Sequence, residues 1–239
     1  MGKKTRIIAS AGQWLFILCL PVLLLTASVN GAAGSARLYN YGFDKYDISA
    51  TTGLEQAELE KAARGLIDYF RSGEEYISLT AVKNGESFTL FNEREVGHLK
   101  DVKGLFNLDF RVMLGTLLYC LLFAALCALL WRDWRRLGGA LLGGGVLTLA
   151  LMVALGLGAL FGFDELFLQF HLISFTNDLW LLDPARDYLI MLFPQGFWYD
   201  AMMVIVLATA GGAIISGAAG WLIRRRCRRL PRNHPRSAL

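Results

Sequence analysis

Four long apolar segments alternate with polar ones along the chain of 239 residues. They cover residues 7–29, 112–131, 137–161 and 197–223. An α-helix needs about 20 apolar residues to cross the ~30 Å hydrocarbon core of a bilayer. Because a backbone in lipid must satisfy its own hydrogen bonds, we predict that each segment is a membrane-spanning helix.

The 30–111 segment, called the cap below, is too long for a bare loop and carries patterns of its own. Thr52-Gly53-Leu54-Glu55 has the form of a capping box, and apolar residues recur at helical spacing from Leu59 to Phe70. We therefore predict an amphipathic helix over 53–72. Asn84-Gly85 separates two short alternating segments, which is typical of a β-hairpin.

Composition and charge decide the class and the orientation. With 55% hydrophobic and 18% charged residues, the chain is neither disordered nor a coiled coil. The net charge of +4 is unevenly distributed. The N-terminus, the 132–136 loop and the C-terminal tail hold 13 basic residues and one acidic residue, whereas the cap and the 162–196 segment, with Asp200, hold 11 basic and 19 acidic ones. By the positive-inside rule, both termini are cytoplasmic and the cap is extracellular.

The predicted fold class is therefore a membrane all-α core of four transmembrane helices with a small extracellular α+β cap, in the plasma membrane. The predicted segments are the N-terminus with the first span (1–29), the cap (30–111), the second and third spans with their basic loop (112–161), an aromatic-rich outer loop (162–196), and the fourth span with the basic tail (197–239). The first span has the flanks of a cleaved signal peptide, which stays an alternative. Its apolar run exceeds the ~7–15 residues usual there, so we interpret it as a retained helix.

Small residues form stripes in the third and fourth spans. The stripes consist of Ala208, Gly212, Ser216 and Gly220, and of Gly139 with Gly143. Such four-residue spacing lets helix backbones approach closely in lipid, where no hydrophobic force drives helices together. We expect these residues to pack the spanning helices against one another.

Two of the three histidines are placed for chemistry. His98 lies in a charged helix that leads into the second span, with Asp101 three residues later on the same helical face. His171 closely follows the third span, so both rings are expected near the extracellular membrane surface. Imidazoles can supply an acid and a base at neutral pH, although each ring could instead only form hydrogen bonds at the interface. His234 lies in the basic tail, where we expect a solvated side chain.

Acidic and aromatic residues crowd the 162–196 loop and the start of the fourth span. Asp178, Asp183 and Asp200 would be costly near apolar surface unless they are paired or functional. The aromatic residues around them are typical of a membrane-interface belt, and they fit a lipid-chain pocket equally well.

Several catalytic motifs are absent from the sequence. It has no Gly-x-Ser-x-Gly elbow, no His-Glu-x-x-His pair, no P-loop and no dinucleotide fingerprint. Two histidines and nearby aspartates can bind Zn²⁺, but no spacing indicates a ligand triplet, so no metal site is predicted. A metal-dependent membrane hydrolase stays open as an alternative, as does a non-enzymatic sensor or assembly protein whose cap binds a partner.

Short motifs around these residues resemble the lipoprotein intramolecular transacylase (Lit) family of bacterial membrane proteins. In the family's order and spacing, they are His98-Leu99-Lys100-Asp101-Val102-Lys103, Phe170-His171, Asn177-Asp178, Trp180-Leu181-Leu182-Asp183-Pro184 and Phe193-Pro194. The resemblance implies an enzyme that acts on diacylglyceryl lipoproteins with a free N-terminal cysteine amine. Such an enzyme moves the sn-2 acyl chain from the glyceryl oxygen to that amine, giving the lyso-form, and needs no cofactor.

The resemblance also implies that His98 and His171 are the catalytic pair, and either ring can be the base. We expect Asp101 to orient His98, and Asp178 or Asp183 to orient His171. The remaining supporting residues are Lys103 and Asn177, and the expected walls of a water-excluding substrate pocket are Phe175, Trp180, Phe193, Phe197 and Trp198. The expected partners are the lipid bilayer and the lipoprotein substrate, with the protein acting as a monomer and binding no nucleic acid.

Overall fold

The computed structural model describes residues 3–229, and His234 with the rest of the basic tail lies outside the described residues. Over that range the chain is mainly helical and contains a β-hairpin. The helices are α1 (Lys3–Ala33), α2 (Ala36–Lys45), α3 (Ile48–Thr52), α4 (Gln56–Arg71), α5 (Glu93–Ala125), α6 (Trp134–Ser174), α7 (Tyr188–Leu192) and α8 (Gln195–Arg229). The strands are β1 (Thr80–Lys83) and β2 (Glu86–Thr89), and a π-helical turn, Leu126–Leu130, follows α5.

Four helices of the described chain, α1, α5, α6 and α8, are long and apolar enough to cross a membrane. They confirm the predicted class of a membrane protein with four spanning helices and a small α+β cap. Helix α5 also contains the charged segment that precedes the second span. His98 and the apolar residues after Arg111 therefore belong to one continuous helix.

Part of the 162–196 segment, which we expected to be a loop, is helical. Helix α6 continues past the third span to Ser174, with a kink at Gly162, where φ is −163° and ψ is 49°. His171 therefore lies on helical turns that follow this kink. Residues 36–52, in which no pattern had indicated a helix, form α2 and α3.

The chain forms two compact units. One consists of Met1–Leu25, Val112–Val153 and Ala208–Leu239, and the other of Thr26–Arg111 and Ala154–Leu207. The first, called the spanning unit below, contains much of the apolar helical sequence. The second, called the site unit, contains the cap and both candidate histidines.

In the spanning unit, the backbones of α6 and α8 approach closely at glycines. A Cβ atom added at Gly220 would lie 2.6 Å from the carbonyl oxygen of Gly138 and from the amide nitrogen of Leu142. One added at Gly145 would lie 2.7 Å from the carbonyl oxygen of Ala213. Because backbone atoms cannot turn away as side chains do, these positions require glycine. The expected packing role of Gly220 is thus confirmed.

Glycines of the same stripes also receive side chains from α1. A Cβ atom at Gly143 would lie 3.0 Å from the side chain of Ile17, and one at Gly212 would lie 3.0 Å from that of Leu24. The stripes therefore accommodate a third helix by the same absence of side-chain volume.

Replacing Gly220 by alanine is expected to lower the free energy of unfolding by about 1–3 kcal/mol, the usual cost of overpacking. The added methyl group would force α6 and α8 apart. Gly211→Ala in the same helix is the matched control, because no atom lies within 4 Å of its added Cβ. Thermal unfolding in detergent micelles, followed by tryptophan fluorescence, measures both variants. An equal melting temperature for the two would contradict the close approach.

In the site unit, α4 packs an apolar face into the core of the cap. Leu59, Ala63 and Leu66 are all buried, in the same cluster as Leu38 and Phe43 of α2. The amphipathic helix predicted from this spacing is confirmed. Its burial contributes to a hydrophobic core that the cap shares with buried residues of the 189–201 range.

The predicted start of that helix was wrong. Helix α4 begins at Gln56, whereas Thr52 is the last residue of α3 and Gly53 follows in the left-handed region, with φ of 69°. The Thr52 hydroxyl donates to the Ile48 carbonyl (2.7 Å) and accepts from the Leu54 amide (3.2 Å). Because the hydroxyl serves the turn after α3, it cannot cap α4, so the proposed capping box does not form.

The β-hairpin is present as predicted. Strands β1 and β2 pair antiparallel, with Lys83 opposite Glu86. Asn84 and Gly85 have positive φ values of 55° and 83°, which are the dihedrals of a two-residue type I′ turn.

Candidate active site

The two candidate histidines come together in the site unit. Their ring centroids are 6.1 Å apart, and the ring planes are inclined by 29°. His98 is 7% exposed and His171 is 8% exposed, which is low for imidazoles. Helix α5 carries the first ring and the last turns of α6 carry the second, so the pairing depends on tertiary structure.

Aromatic side chains enclose the pair. Phe175 contacts both rings, with centroids 5.0 Å from His98 and 5.6 Å from His171. The Trp180 ring lies 5.0 Å from that of His171 and is tilted by 37° from its plane. These two of the expected pocket residues therefore do line the histidine pair.

Two further phenylalanines belong to this enclosure and were not expected there. Phe167 lies 4.4 Å from the His171 ring and Phe170 lies 5.4 Å from it, both nearly edge-on. Phe167 precedes His171 by four residues, one helical turn. A helical assignment for this segment would have revealed it from the sequence.

The hydrogen bonds of the two rings differ, and this difference assigns their protons. His171 Nδ1 lies 2.8 Å from the carbonyl oxygen of Phe167. A carbonyl only accepts, so Nδ1 carries the proton, and in the neutral ring Nε2 holds the free lone pair. Nδ1 of His98 is buried and has no partner among the described residues. A buried unpaired acceptor costs less than a buried unpaired N–H, so we place the His98 proton on Nε2.

The expected supporting residues Asp101, Asn177 and Asp178 connect α5 to the segment after α6. Asn177 donates its side-chain N–H to Asp101 Oδ2 (2.9 Å). Arg94 donates to the carbonyl oxygen of Asp178 (2.7 Å). Asp101 thus shares a hydrogen bond with Asn177, and the structure gives none between it and His98 over residues 3–229.

Asp183 faces its own turn. Its carboxylate accepts from the Ala185 amide and from the Arg186 side chain, each at 2.9 Å. The backbone amide first, and the guanidinium second, hold the pKa of Asp183 below its usual range. The side chain is therefore an ionised acceptor that stabilises the turn.

Lys103 is nearly buried and fastens the connection after α4. Its Nζ donates to the Ser72 hydroxyl (3.1 Å) and the Glu74 carbonyl (2.6 Å). It also lies 4.1 Å from the centroid of the Tyr69 ring, a favourable cation–π position. These contacts place the ammonium group in the framework of the cap.

The remaining expected pocket residues lie further from the histidines. Phe193 and Phe197 are buried in the cap core, where both rings contact Tyr39. Trp198 is partly exposed and lies 6.2 Å from Phe167, which in turn touches His171. Trp198 therefore packs against Phe167, one of the residues that enclose the histidine pair.

The site has the elements of proton-transfer chemistry. Over residues 3–229, no three side chains among His, Cys, Asp and Glu are grouped so as to hold a metal ion. One imidazole offers a lone pair and the other an N–H, and both lie among aromatic side chains. Fold and site together define the class: an integral membrane protein with four spanning helices and a buried pair of histidines.

The family follows from a comparison with known proteins. The family model described as lipoprotein intramolecular transacylase Lit matches residues 14–198, more than half of the chain. The chain therefore belongs to the Lit family, and it is an enzyme of the transacylase class.

Solved structures share the fold. The membrane integral lipoprotein intramolecular transacylase Lit from Bacillus cereus superposes with a TM-score of 0.80 at 20% identity, covering 92% of this chain and 98% of that one. A variant of the same protein with one histidine replaced by alanine gives 0.76 at 20% identity, covering 94% and 97%. An uncharacterized protein from Aquifex aeolicus (strain VF5) is 27% identical over 157 residues, 65% of this chain and 68% of the relative.

Proposed function

We propose that this enzyme moves an acyl chain within one diacylglyceryl lipoprotein, at the extracellular leaflet of the plasma membrane. The chain moves from the sn-2 oxygen of the glyceryl group to the amine of the N-terminal cysteine, which gives the lyso-form. The observation that carries the proposal is the buried His98–His171 pair inside an aromatic enclosure, in a member of this family.

The reaction needs no nucleophile from the enzyme, because donor and acceptor belong to the same molecule. The amine nitrogen attacks the ester carbonyl carbon, the N–C bond forms, and the C–O bond to the glyceryl breaks. One proton leaves the nitrogen and one arrives at the glyceryl oxygen. Holding the two ends together can contribute about 7–11 kcal/mol toward the barrier, so orientation is a large part of the catalysis.

The proton assignment favours distinct roles for the two rings. His171 Nε2, with its free lone pair, takes the proton from the attacking amine and returns it to the departing glyceryl oxygen. The bond from Nδ1 to the Phe167 carbonyl holds the ring in this tautomer and stabilises the positive charge it gains. His98 donates its Nε2–H to the carbonyl oxygen that becomes negative during attack, as in an oxyanion site. Both rings end the cycle as they began it.

One chain supplies all these residues. Both histidines and their aromatic neighbours lie in the same site unit, so the proposed chemistry requires no second subunit. The basic N-terminal segment, the 132–136 loop and the tail support cytoplasmic termini, and the excess of acidic residues in the 30–111 and 162–196 segments supports an extracellular location for these two.

The proposal is tested by mass spectrometry of a lipoprotein N-terminus from bacteria that lack or contain this protein. We expect the N-terminal cysteine to be diacylglyceryl-modified with a free amine without it, and N-acylated with a lyso-glyceryl group when it is present. An unchanged free-amine product in its presence contradicts the proposed activity. Conversion that survives a chelator argues further against a metal-dependent hydrolase.

Trp180→Ala is expected to lower N-acyl transfer roughly tenfold, about 1.4 kcal/mol of barrier, and to raise the release of free fatty acid. The indole ring lies 5.0 Å from the His171 ring, so we expect its loss to admit water to the ester. Trp180→Phe keeps an aromatic wall and serves as the matched control. The ratio of N-acyl product to free fatty acid, measured by mass spectrometry, reports the effect. An unchanged ratio in the alanine variant contradicts a water-excluding role.

A further inference from the structure

Glu95 is a buried carboxylate one helical turn before His98. It is only 1% exposed, although glutamate is rarely buried in proteins. Oε1 accepts from the Leu189 amide (2.6 Å) and Oε2 accepts from the Asn92 amide (2.7 Å). It takes part in none of the ion pairs found among residues 3–229. Its burial is therefore compensated by two backbone amides, one from α7 and one from Asn92, the residue immediately before α5.

A second buried carboxylate joins the same network. Asp187 Oδ1 accepts from the Asn92 side chain (2.8 Å), and Oδ2 accepts from the Asp183 amide (2.7 Å). Asn92 Oδ1 in turn accepts from the Glu95 amide (3.1 Å). We call Asn92, Glu95 and Asp187 the carboxylate clasp. It ties the first turn of α5 to the chain around residue 187.

The clasp holds one end of the segment that carries Trp180. The other end is held by two hydrogen bonds, one from Arg94 to the Asp178 carbonyl and one from the Asn177 side chain to Asp101. In between, Leu179 packs so tightly on Gly97 that an added Cβ there would lie 2.9 Å from its Cδ1. The 177–189 segment is therefore fastened along the stretch of α5 that also carries His98. This segment also carries Trp180, whose ring lies 5.0 Å from that of His171.

We propose that Glu95 is a positioning residue that fixes the 177–189 segment over the histidine pair. It touches no reacting atom, and the proposal rests on the proposed acyl transfer. Two carboxylate oxygens can satisfy two amide N–H groups, as they do here. A glutamine has one acceptor oxygen, and its NH₂ group would face an N–H donor, so one of the two bonds is lost.

The test compares Glu95→Gln with Glu93→Gln in the full-length protein in detergent micelles. Both residues are acidic in the first turn of α5, but Glu93 is exposed, so the pair is matched in charge and helix position. We expect Glu95→Gln to lower kcat for a synthetic diacylglyceryl lipopeptide by roughly 10- to 100-fold, the scale of a misplaced catalytic geometry. Glu93→Gln should stay within about twofold of the wild type, as for surface changes.

Hydrogen exchange, measured by mass spectrometry, separates positioning from a general loss of structure. In Glu95→Gln we expect faster exchange over 177–192 and wild-type protection over α4 and the hairpin, residues 56–89. Equal kcat in the two variants overturns the proposal, and so does faster exchange spread evenly over the cap. Asp187→Asn, which weakens the clasp from the other side, must show the same local change. If Glu95→Gln does not accumulate, wild-type kcat and exchange in Asp187→Asn overturn the proposal.

The readouts also distinguish the two proposals. A wild-type protein that never converts the lipopeptide contradicts the proposed function, whatever the exchange pattern. A wild-type protein that converts it, with Glu95→Gln equally active, contradicts only the positioning role.

Discussion

Replacing His171 by alanine is expected to lower conversion of a diacylglyceryl lipopeptide by about 10²–10⁴-fold, the range for loss of a general base. The lone pair on Nε2 is the basic group that the structure offers to the attacking amine, because Nδ1 is bonded to the Phe167 carbonyl. His171→Gln should be as inactive as His171→Ala, since an amide nitrogen has no basic lone pair. Single-turnover conversion, followed by mass spectrometry, measures both variants.

Gln169→Ala provides the matched control for this experiment. Gln169 lies two residues before His171 on the same helical turns, is exposed, and bonds only to Glu165 among the described residues. It should retain wild-type conversion. If His171→Gln keeps a rate near the wild type, His171 is not the base, and the proton assignment is wrong.

Replacing His98 by alanine is expected to lower the same rate by about 10²–10³-fold, the usual loss when one oxyanion donor is removed. His98→Gln should recover part of this loss, because a glutamine side chain places an N–H near the position of Nε2. Replacement by glutamine is thus expected to leave partial activity at position 98 and none at position 171. This difference follows from their hydrogen bonds, since Nδ1 of His98 is buried without a partner among the described residues and that of His171 is not.

The outcome for His98→Gln decides between two roles. Partial recovery in glutamine, with little activity in alanine, supports a hydrogen-bond donor. A glutamine variant as inactive as the alanine variant would show that a titrating ring is needed at position 98, which contradicts the donor role. Wild-type exchange over residues 56–89 in both variants would confirm that the cap is still folded.

Features set by local chemistry could be predicted from the sequence. The four spans follow from apolar length, and the hairpin follows from the left-handed dihedrals that Asn84 and Gly85 tolerate. The start of α4 could not be predicted, because Thr52 has two possible uses for its hydroxyl. Only the packing of α3 shows that the turn after that helix takes it.

For the candidate site, the sequence predicts which residue types take part and on which side of the membrane they are expected. It does not predict their contacts. The sequence predicts His98 and His171 as candidates because one is expected before a span and the other after a span, on the same side of the membrane. Their partners are tertiary or backbone groups: the Phe167 carbonyl for His171, and Asn177 for Asp101. No sequence pattern names a backbone carbonyl or a partner 76 residues away.

The burial of Glu95 could not be predicted from the sequence either. In the sequence it follows Glu93 and Arg94 at the start of a helix, where an exposed side chain is the ordinary expectation. It is buried because α7 supplies an amide N–H to one oxygen. Lys103 is the converse case: it lies in a motif next to a catalytic candidate, yet its donors serve the chain around Ser72.

The most direct test of intramolecular transfer uses the purified protein and two lipopeptides mixed in one reaction. One carries light acyl chains of different lengths at sn-1 and sn-2, and the other carries isotopically heavy chains on a different peptide. Tandem mass spectrometry then identifies the chain on each cysteine amine. We predict that each amine bears the sn-2 chain of its own molecule, with no conversion in His171→Ala. Heavy chains on the light peptide, sn-1 chains on the amine, or unchanged lipopeptides would contradict intramolecular transfer of the sn-2 chain.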